Sequence, residues 1–325
     1  LQVEAKRRIL EEALRHRFPE TGALPVVMHP CPQPLAYRSR ARVRLVGTGP
    51  KAAVGFYRHK SHAIEDIESC PLLRPSLNEA LGVLRQYRIK ADTDAAPQEM
   101  DIACSEEEGT WATERAGASP AQPGVPLPGT RPPEDVILRR SVNGFSYAVT
   151  ARSFFQANDF MVGELAALVE ELSAGGGSGP AIDLFAGVGL FSLPLARGHE
   201  TVDAVEMSAP SSRLCAINAA AAGLRNIRTV CDSAAAWLES EAPKAARPPD
   251  LVVLDPPRSG AGTAAMERIR QSAPGTVVYV SCDPQTLCRD LSVLVPRGYA
   301  IDFVRGLDMF PQTFHFETVV RLKRS

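Results

Sequence analysis

Cys282 stands where a buried strand hands over to a helix. The run Thr276 to Val280 is apolar and β-branched, stops at Ser281-Cys282-Asp283-Pro284, and is followed by a helical pattern. Open α/β sheets bind their ligands at such strand ends. A thiol there acts as a nucleophile if its neighbours favour the thiolate, and the following helix N-terminus contributes partial positive charge. The alternative is a small hydrophobe filling a strand end. Two further stretches end in the same way: Leu251-Val252-Val253-Leu254 runs into Asp255-Pro256-Pro257-Arg258, and Ala181-Ile182-Asp183-Leu184 into Phe185-Ala186-Gly187-Val188-Gly189. If these strands are parallel, Asp255 and Cys282 face one crevice.

A strand carrying Asp183, then Gly187 and Gly189, then a helix is the layout of a nucleotide-binding turn, because glycine lets backbone approach a ligand at a helix N-terminus. The next strand ends in Glu206, an acid suited to a pair of ribose hydroxyls. Both features serve NAD as well as S-adenosylmethionine. Ser192 replaces the third glycine of the dinucleotide fingerprint, which weakens the NAD reading. Asp232, after the third strand of this series, is a candidate adenine contact.

The elements that position these residues begin at the breaker Gly175-Gly176-Gly177-Ser178-Gly179-Pro180. Strands near 181, 202, 227, 250 and 276 alternate with helices from 190, 209, 263 and 284, which predicts an α/β doubly wound parallel sheet. Two last strands, near 299 and 315, are expected to pair at one end. A chain of 325 residues exceeds one typical domain. The expected division is a smaller α+β domain over 1–150 and a catalytic domain over 151–325.

The smaller domain opens with a basic helical pattern from Val3 to Arg17 and a turn-rich stretch through Pro34. Tyr37 to Leu45 alternates strictly, so one strand face carries Arg38, Arg40, Arg42 and Arg44. Such guanidinium groups recur every ~6.6 Å, near the spacing of phosphates on an extended nucleic-acid strand. The other readings are a solvated edge face or a row paired with nearby carboxylates. Val54 to Arg58 is a hairpin partner, Leu77 to Tyr87 a short helix, Ile102 to Thr113 a weak strand broken at Glu106-Glu107-Glu108, and 120–133 a proline-rich loop. Strands at 136–140 and 145–149 close the domain, and a helix follows to about Leu172.

Composition excludes little but consistently. The hydrophobic fraction of 45% is that of a globular protein, and no apolar run approaches the ~20 residues needed to span a bilayer. Residues 1 to 60 hold 12 Lys/Arg against 4 Asp/Glu and residues 61 to 115 hold 5 against 12, which suggests one face that meets a polyanion and one that does not. Seven cysteines without a CxxC pair fit a reducing cytoplasm better than a disulfide framework, and no metal site is legible.

With Phe154-Phe155-Gln156-Ala157-Asn158, Asp255-Pro256-Pro257, Ser281-Cys282-Asp283-Pro284 and Phe310-Pro311-Gln312-Thr313-Phe314-His315-Phe316-Glu317-Thr318, the chain resembles the RNA uracil C5-methyltransferase family. Tyr37-Arg38-Ser39-Arg40 and Gly55-Phe56-Tyr57-Arg58 extend the resemblance into the smaller domain. It implies a Rossmann-like class I methyltransferase sheet, S-adenosylmethionine as cofactor, Cys282 as the nucleophile on uracil C6, Glu317 as the base that takes the C5 proton, and Asp255 beside base and cofactor. It also implies cofactor contacts from Gln156, Phe185, Glu206 and Asp255. By pattern alone Gln156 is a polar residue at a helix start and Glu317 a rim carboxylate. Enzymes that methylate exocyclic amines share the Asp-Pro-Pro motif but need no thiol, and the cysteine motifs of cytosine C5-methyltransferases differ from Ser-Cys-Asp-Pro.

Cys70, in Glu68-Ser69-Cys70-Pro71-Leu72-Leu73, matches the fourth iron-sulfur ligand of some relatives. Four thiolates are required and one is in place. The chain begins at Leu1 rather than Met, so an iron-sulfur cluster and an oligonucleotide-binding barrel are expected only in a longer chain. The expected partner is RNA, ribosomal sooner than transfer RNA, met by a cytoplasmic monomer. A non-catalytic RNA-binding protein is the alternative.

Overall fold

The computed structural model describes residues 1–19, 25–58, 61–90, 97–105, 107, 109–114, 137–241 and 247–325. They form two compact units. The first comprises Leu1–Pro32, Ser141–Tyr147 and Phe160–Ser325, the second Gln33–Arg140 and Ala148–Asp159. In chain order the elements begin with α1 (Gln2–Arg17) and β1 (Val27–His29). There follow β2 (Arg40–Val46), β3 (Ala53–Tyr57), β4 (Ile64–Asp66), α2 (Pro75–Ile89), β5 (Gln98–Ser105) and β6 (Gly109–Glu114). A hairpin, β7 (Leu138–Val142) and β8 (Phe145–Val149), turns through Asn143 and Gly144. Both turn residues have positive φ, 48° and 81°, the geometry that matches strand twist.

After α3 (Val162–Ala174) the alternation expected from the sequence appears: β9 (Ala181–Leu184), α4 (Ser192–Leu195), β10 (Val202–Val205), α5 (Ala209–Ala221), β11 (Ile227–Val230), α6 (Ala234–Ser240), β12 (Leu251–Leu254), α7 (Gly262–Ser272), β13 (Thr276–Ser281), α8 (Pro284–Leu294), β14 (Tyr299–Leu307) and β15 (Glu317–Arg324). Serine or aspartate starts several of the helices. Ser208 Oγ accepts from the Ser211 N–H, Ser233 Oγ from Ala236, and Asp283 from both Gln285 and Thr286, with Pro284 at the first helical position.

The first unit holds an eight-stranded sheet in the order β1-β14-β15-β13-β12-β9-β10-β11. Strands β9, β10, β11, β12 and β13 run parallel, while β15 lies antiparallel between β13 and β14. Every residue of β9, β12 and β13 is buried, as parallel strands covered on both faces require. Their side chains join α1, α6, α7 and α8 in one core that includes Leu10, Trp237, Val252, Ile269, Tyr279 and Leu291. The second unit is a five-stranded antiparallel sheet, β4-β3-β2-β5-β6, whose core of Val43, Leu45, Val54, Met100 and Ile102 packs on Leu77, Leu81 and Leu84 of α2.

Four expectations need correction. The expected break at 150 is not where the compact units divide. Residues 1–32 pack with the catalytic sheet, because α1 buries Leu10, Ala13 and Leu14 in that core and β1 extends the sheet by parallel pairing with β14, Val27 opposite Arg305. Such a pairing leaves no local signal in a three-residue strand. The stretch through Pro34, read as turns only, therefore contains a strand. Helix α6, capped by Ser233, lies between β11 and β12 where no helix was expected. The single broken strand expected over 102–113 is instead two paired antiparallel strands, β5 and β6. The proline-rich stretch 120–133 lies outside the described residues.

Candidate active site

The site is built from the first unit, where the ends of neighbouring strands meet. Asp255 follows β12, Cys282 follows β13, and Phe185 and Glu206 follow β9 and β10. In the antiparallel pairing of β13 with β15, Ser281 stands opposite Thr318. Cys282 follows Ser281 and Glu317 precedes Thr318, so the two flank the last pair of this ladder, and Glu317 is the largest charge acting on the thiol. Glu317 also faces Leu307 at the end of β14, so it enters the corner between two strands.

Burial governs the chemistry of this corner. Glu317 is 4% exposed, and its Oε2 has no hydrogen-bond partner among the described residues. Burial, followed by the negative charge of Asp255, pushes its carboxyl well above the usual carboxylate range, against the pull of Arg258. The thiol of the half-buried Cys282 is likewise pushed up to about 12, first by burial, then by Glu317; Asp255 adds to this and Arg258 opposes it. Burial and the neighbouring carboxylates thus favour the thiol over the thiolate, against the partial positive charge at the start of the following helix. Asp283, which caps α8, takes the first N–H groups of that helix for its own carboxylate.

Arg258 is the positive group that Cys282 and Glu317 share, and its place after Asp255-Pro256-Pro257 gives no sign of that role. Its loop is fixed by the fully buried Asp290, whose Oδ2 accepts from the N–H groups of Ala261 (2.7 Å) and Gly262 (3.3 Å) and from the Tyr279 hydroxyl (2.6 Å). Arg289 holds Asp290 Oδ1 and the Ser259 carbonyl. A Cβ on Gly260, whose φ is +78°, would lie 2.5 Å from Asp290 Oδ2 and 2.4 Å from the Arg289 guanidinium, so only glycine lets the loop close on this pair.

The glycine turn has the geometry of a ligand cradle. Gly187 has φ +56° and open space on its Cβ side, whereas a Cβ on Gly189 would lie 2.9 Å from Cys215 Sγ. Phe185 holds φ +63°, rare outside glycine and a feature that clusters at ligand sites. Glu206 accepts from the Gly187 N–H (2.9 Å) and from the Ser208 N–H (2.7 Å), one with each oxygen. Each oxygen keeps a lone pair for a ribose hydroxyl. Asp183 is fully buried under the turn, where Oδ2 accepts from the Ser192 hydroxyl (2.5 Å) and Oδ1 has no partner among the described residues. Its carboxyl is raised to about 7, chiefly by burial. These groups fit S-adenosylmethionine: acceptors for ribose hydroxyls, an unmatched buried acceptor for an ammonium, and backbone N–H groups at a turn. Asp232 caps its own chain, with Oδ1 on the Ser233 N–H (2.7 Å). Gln156 belongs to the second unit, where it is 3% exposed.

The arginine ladder is not a free row of guanidiniums. Alternation correctly predicts that Val43 and Leu45 are buried. Yet Arg40 turns inward to the carbonyls of Thr150 and Ala151 (3.0 Å each). Arg42 pairs with Glu99 and Asp101 (3.0 Å each), and Arg44 pairs with Glu99 and lies 4.5 Å over the Tyr57 ring. Arg38 has a buried Nε without a partner among the described residues. The β2–β5 register sets Arg42 opposite Asp101 and Arg44 opposite Glu99, so the charge asymmetry along the chain is partly cancelled within one sheet. Cys70 is half-buried, its backbone held at both ends by Asn78; among the described residues no set of three potential metal ligands comes together.

A parallel-rich sheet with its antiparallel strand inserted between β13 and β14, a glycine turn after β9, an acid after β10 and Asp-Pro-Pro after β12 define a class I methyltransferase. The particular family follows from comparison. Residues 135–325 match the family described as tRNA (Uracil-5-)-methyltransferase, and the chain belongs to that family. An uncharacterized RNA methyltransferase of Thermosynechococcus vestitus is 28% identical over 364 residues, covering 100% of this chain and 80% of the relative. Another, of Thermotoga maritima, is 39% identical over 176 residues, 54% of this chain and 39% of the relative. Among solved structures, the Pyrococcus abyssi tRNA (uracil-54, C5)-methyltransferase in complex with S-adenosyl-L-homocysteine aligns with a TM-score of 0.72 and 25% identity. The alignment covers 99% of this chain and 82% of that one. The chain is an S-adenosylmethionine-dependent RNA (uracil-C5)-methyltransferase.

Proposed function

We propose that the chain methylates C5 of a uridine in ribosomal RNA of the large subunit through a covalent bond between Cys282 and C6. The observation that carries the chemistry is that Cys282 and Glu317 flank the last pair of the β13–β15 ladder, Ser281 with Thr318. Uracil C5 is a weak nucleophile. The Cys282 thiol gives up its proton to solvent and adds to C6 as the thiolate, which moves the C5–C6 π electrons toward the C4 carbonyl and makes C5 enolate-like. S-adenosylmethionine, when bound, would supply the electrophilic methyl group and leave as S-adenosylhomocysteine. Glu317 then takes the C5 proton, the C5–C6 double bond reforms, and the sulfur leaves as thiolate. A carboxyl raised by burial is the stronger base for that step. Arg258 favours the sulfur's anionic form when it adds and when it leaves. Phe185, Glu206, Asp183, Asp232 and the Gly187 turn are assigned to the cofactor, and the second unit to RNA.

The ribosomal target is supported by Cys70, which matches a cluster ligand of relatives. A transfer RNA target is the second reading, after the substrate named for the Pyrococcus abyssi neighbour. Methyl transfer from labelled S-adenosylmethionine to a ribosomal RNA fragment and to a T-arm stem-loop separates the two. Substitution of 5-fluorouridine in the preferred RNA blocks proton loss and should leave a stable protein–RNA adduct that vanishes in Cys282→Ala. Turnover without any adduct would sink the covalent step.

A further inference from the structure

The loop between β14 and β15 carries an exposed aromatic ring on an immobilised frame. Phe314 is 71% exposed and lies three residues before Glu317, whereas its neighbour Phe316 is 2% exposed. The His315 ring lies 3.9 Å from it, centroid to centroid, and the Phe310 ring meets His315 edge-on at 6.4 Å. The frame is tied at its root by Lys6 of α1. Nζ, 2% exposed with its residue, donates to Asp308 Oδ1 (2.6 Å) and to the Phe310 carbonyl (3.0 Å). Inside the loop Thr313 bonds the Phe310 carbonyl through its hydroxyl (2.7 Å) and its N–H (3.2 Å), and its hydroxyl also accepts from the His315 N–H (3.2 Å). Gln312, at φ +63°, exchanges hydrogen bonds with the side chain of Gln2 (2.8 and 3.2 Å). Phe314 is therefore held out by a rigid support and is not a loose loop tip.

We propose that Phe314 is a stacking platform for an unpaired nucleobase of the RNA that flanks the target uridine. Three residues span at most about 10 Å, so the ring stays within a nucleotide or two of the base that Glu317 serves. Extruding the target uridine unstacks its neighbours and leaves their faces to be covered. A planar hydrophobe accepts any base face, which gives affinity without sequence reading. Preorganisation by Lys6 and Thr313 keeps the ordering cost of such a contact low. The proposal rests on the reading that the substrate is RNA.

The test compares wild type, Phe314→Ala and Phe314→Trp for binding of an oligouridylate of roughly ten nucleotides, a length within the usual single-strand site range. Phe314→Ala is expected to raise Kd by roughly 5- to 150-fold with the salt slope unchanged, because no phosphate contact is lost. Phe314→Trp is expected to restore affinity and to show indole emission quenched by the RNA. Affinity of Phe314→Ala indistinguishable from wild type, or indole emission indifferent to RNA, would overturn the proposal. Methylation is scored separately. Binding through residue 314 without turnover on any RNA would count against the preceding reading alone. Turnover with an unaltered Phe314→Ala affinity would count against this one alone.

Discussion

Chemical labelling of Cys282 against pH reads the electrostatics of the corner directly. With the thiol pushed up to about 12 from its ordinary 9.0, the thiolate fraction at pH 8 is about 10⁻⁴ instead of about 10⁻¹, a ~1,000-fold deficit by simple titration. The more basic thiolate is intrinsically the better nucleophile. A Brønsted slope of about 0.4–0.5 over three units returns roughly 15- to 30-fold. Iodoacetamide should therefore label Cys282 about 30 to 60 times more slowly at pH 8 than an unperturbed cysteine. The rate should rise tenfold per pH unit up to pH 10 without levelling. Labelled peptides resolved by mass spectrometry give this rate for Cys282 apart from the other cysteines. Two variants set the sign. Arg258→Met removes the group that favours the thiolate and should slow labelling further, whereas Glu317→Gln removes the largest opposing charge and should speed it. A plateau with its midpoint at or below pH 9, or both variants moving the rate the same way, would refute the electrostatic account.

Two further expectations concern stability. Asp183 has a folded pKa of about 7 against 3.8 unfolded; the folded state binds the extra proton, so its contribution is fully present below pH 4 and is lost as pH rises to 7, by about 4 kcal/mol. Asp183→Asn should flatten the fall of ΔG of unfolding between pH 4 and 7 in urea titrations, and an unaltered slope would assign that fall elsewhere. Lys6→Met strands the buried Asp308 and should cost about 3–5 kcal/mol, while Lys6→Met with Asp308→Leu should recover much of it; a double variant no better than the single would show that the pair does not act as a unit.

What the sequence made legible is what its local patterns encode. The apolar runs of β9, β12 and β13 and the abrupt stops after them located Asp255 and Cys282, because a fully buried parallel strand has to be apolar throughout and its ligand end has to break that rule. Alternation along β2 separated the buried Val43 and Leu45 from the arginines. It carried no information on what lies opposite, and Glu99 and Asp101, some sixty residues on, claim Arg42 and Arg44. The same limit hid β1, a strand of three residues whose partner β14 begins 270 residues after its end.

Glu317 shows the difference most sharply. Taken by itself, an acid at the start of an antiparallel strand belongs on a rim. The insertion of β15 between β13 and β14 turns that position inward, where Glu317 pairs with Leu307 and lies just beyond the Ser281–Thr318 pair. The strand order thus brings a second carboxyl to a corner that already holds Asp255, and burial with like charge then raises both the acid and the thiol. A loop that delivers Arg258 to the same corner is the physical counterweight, and Gly260, Asp290 and Tyr279 are the residues through which the chain keeps that loop closed.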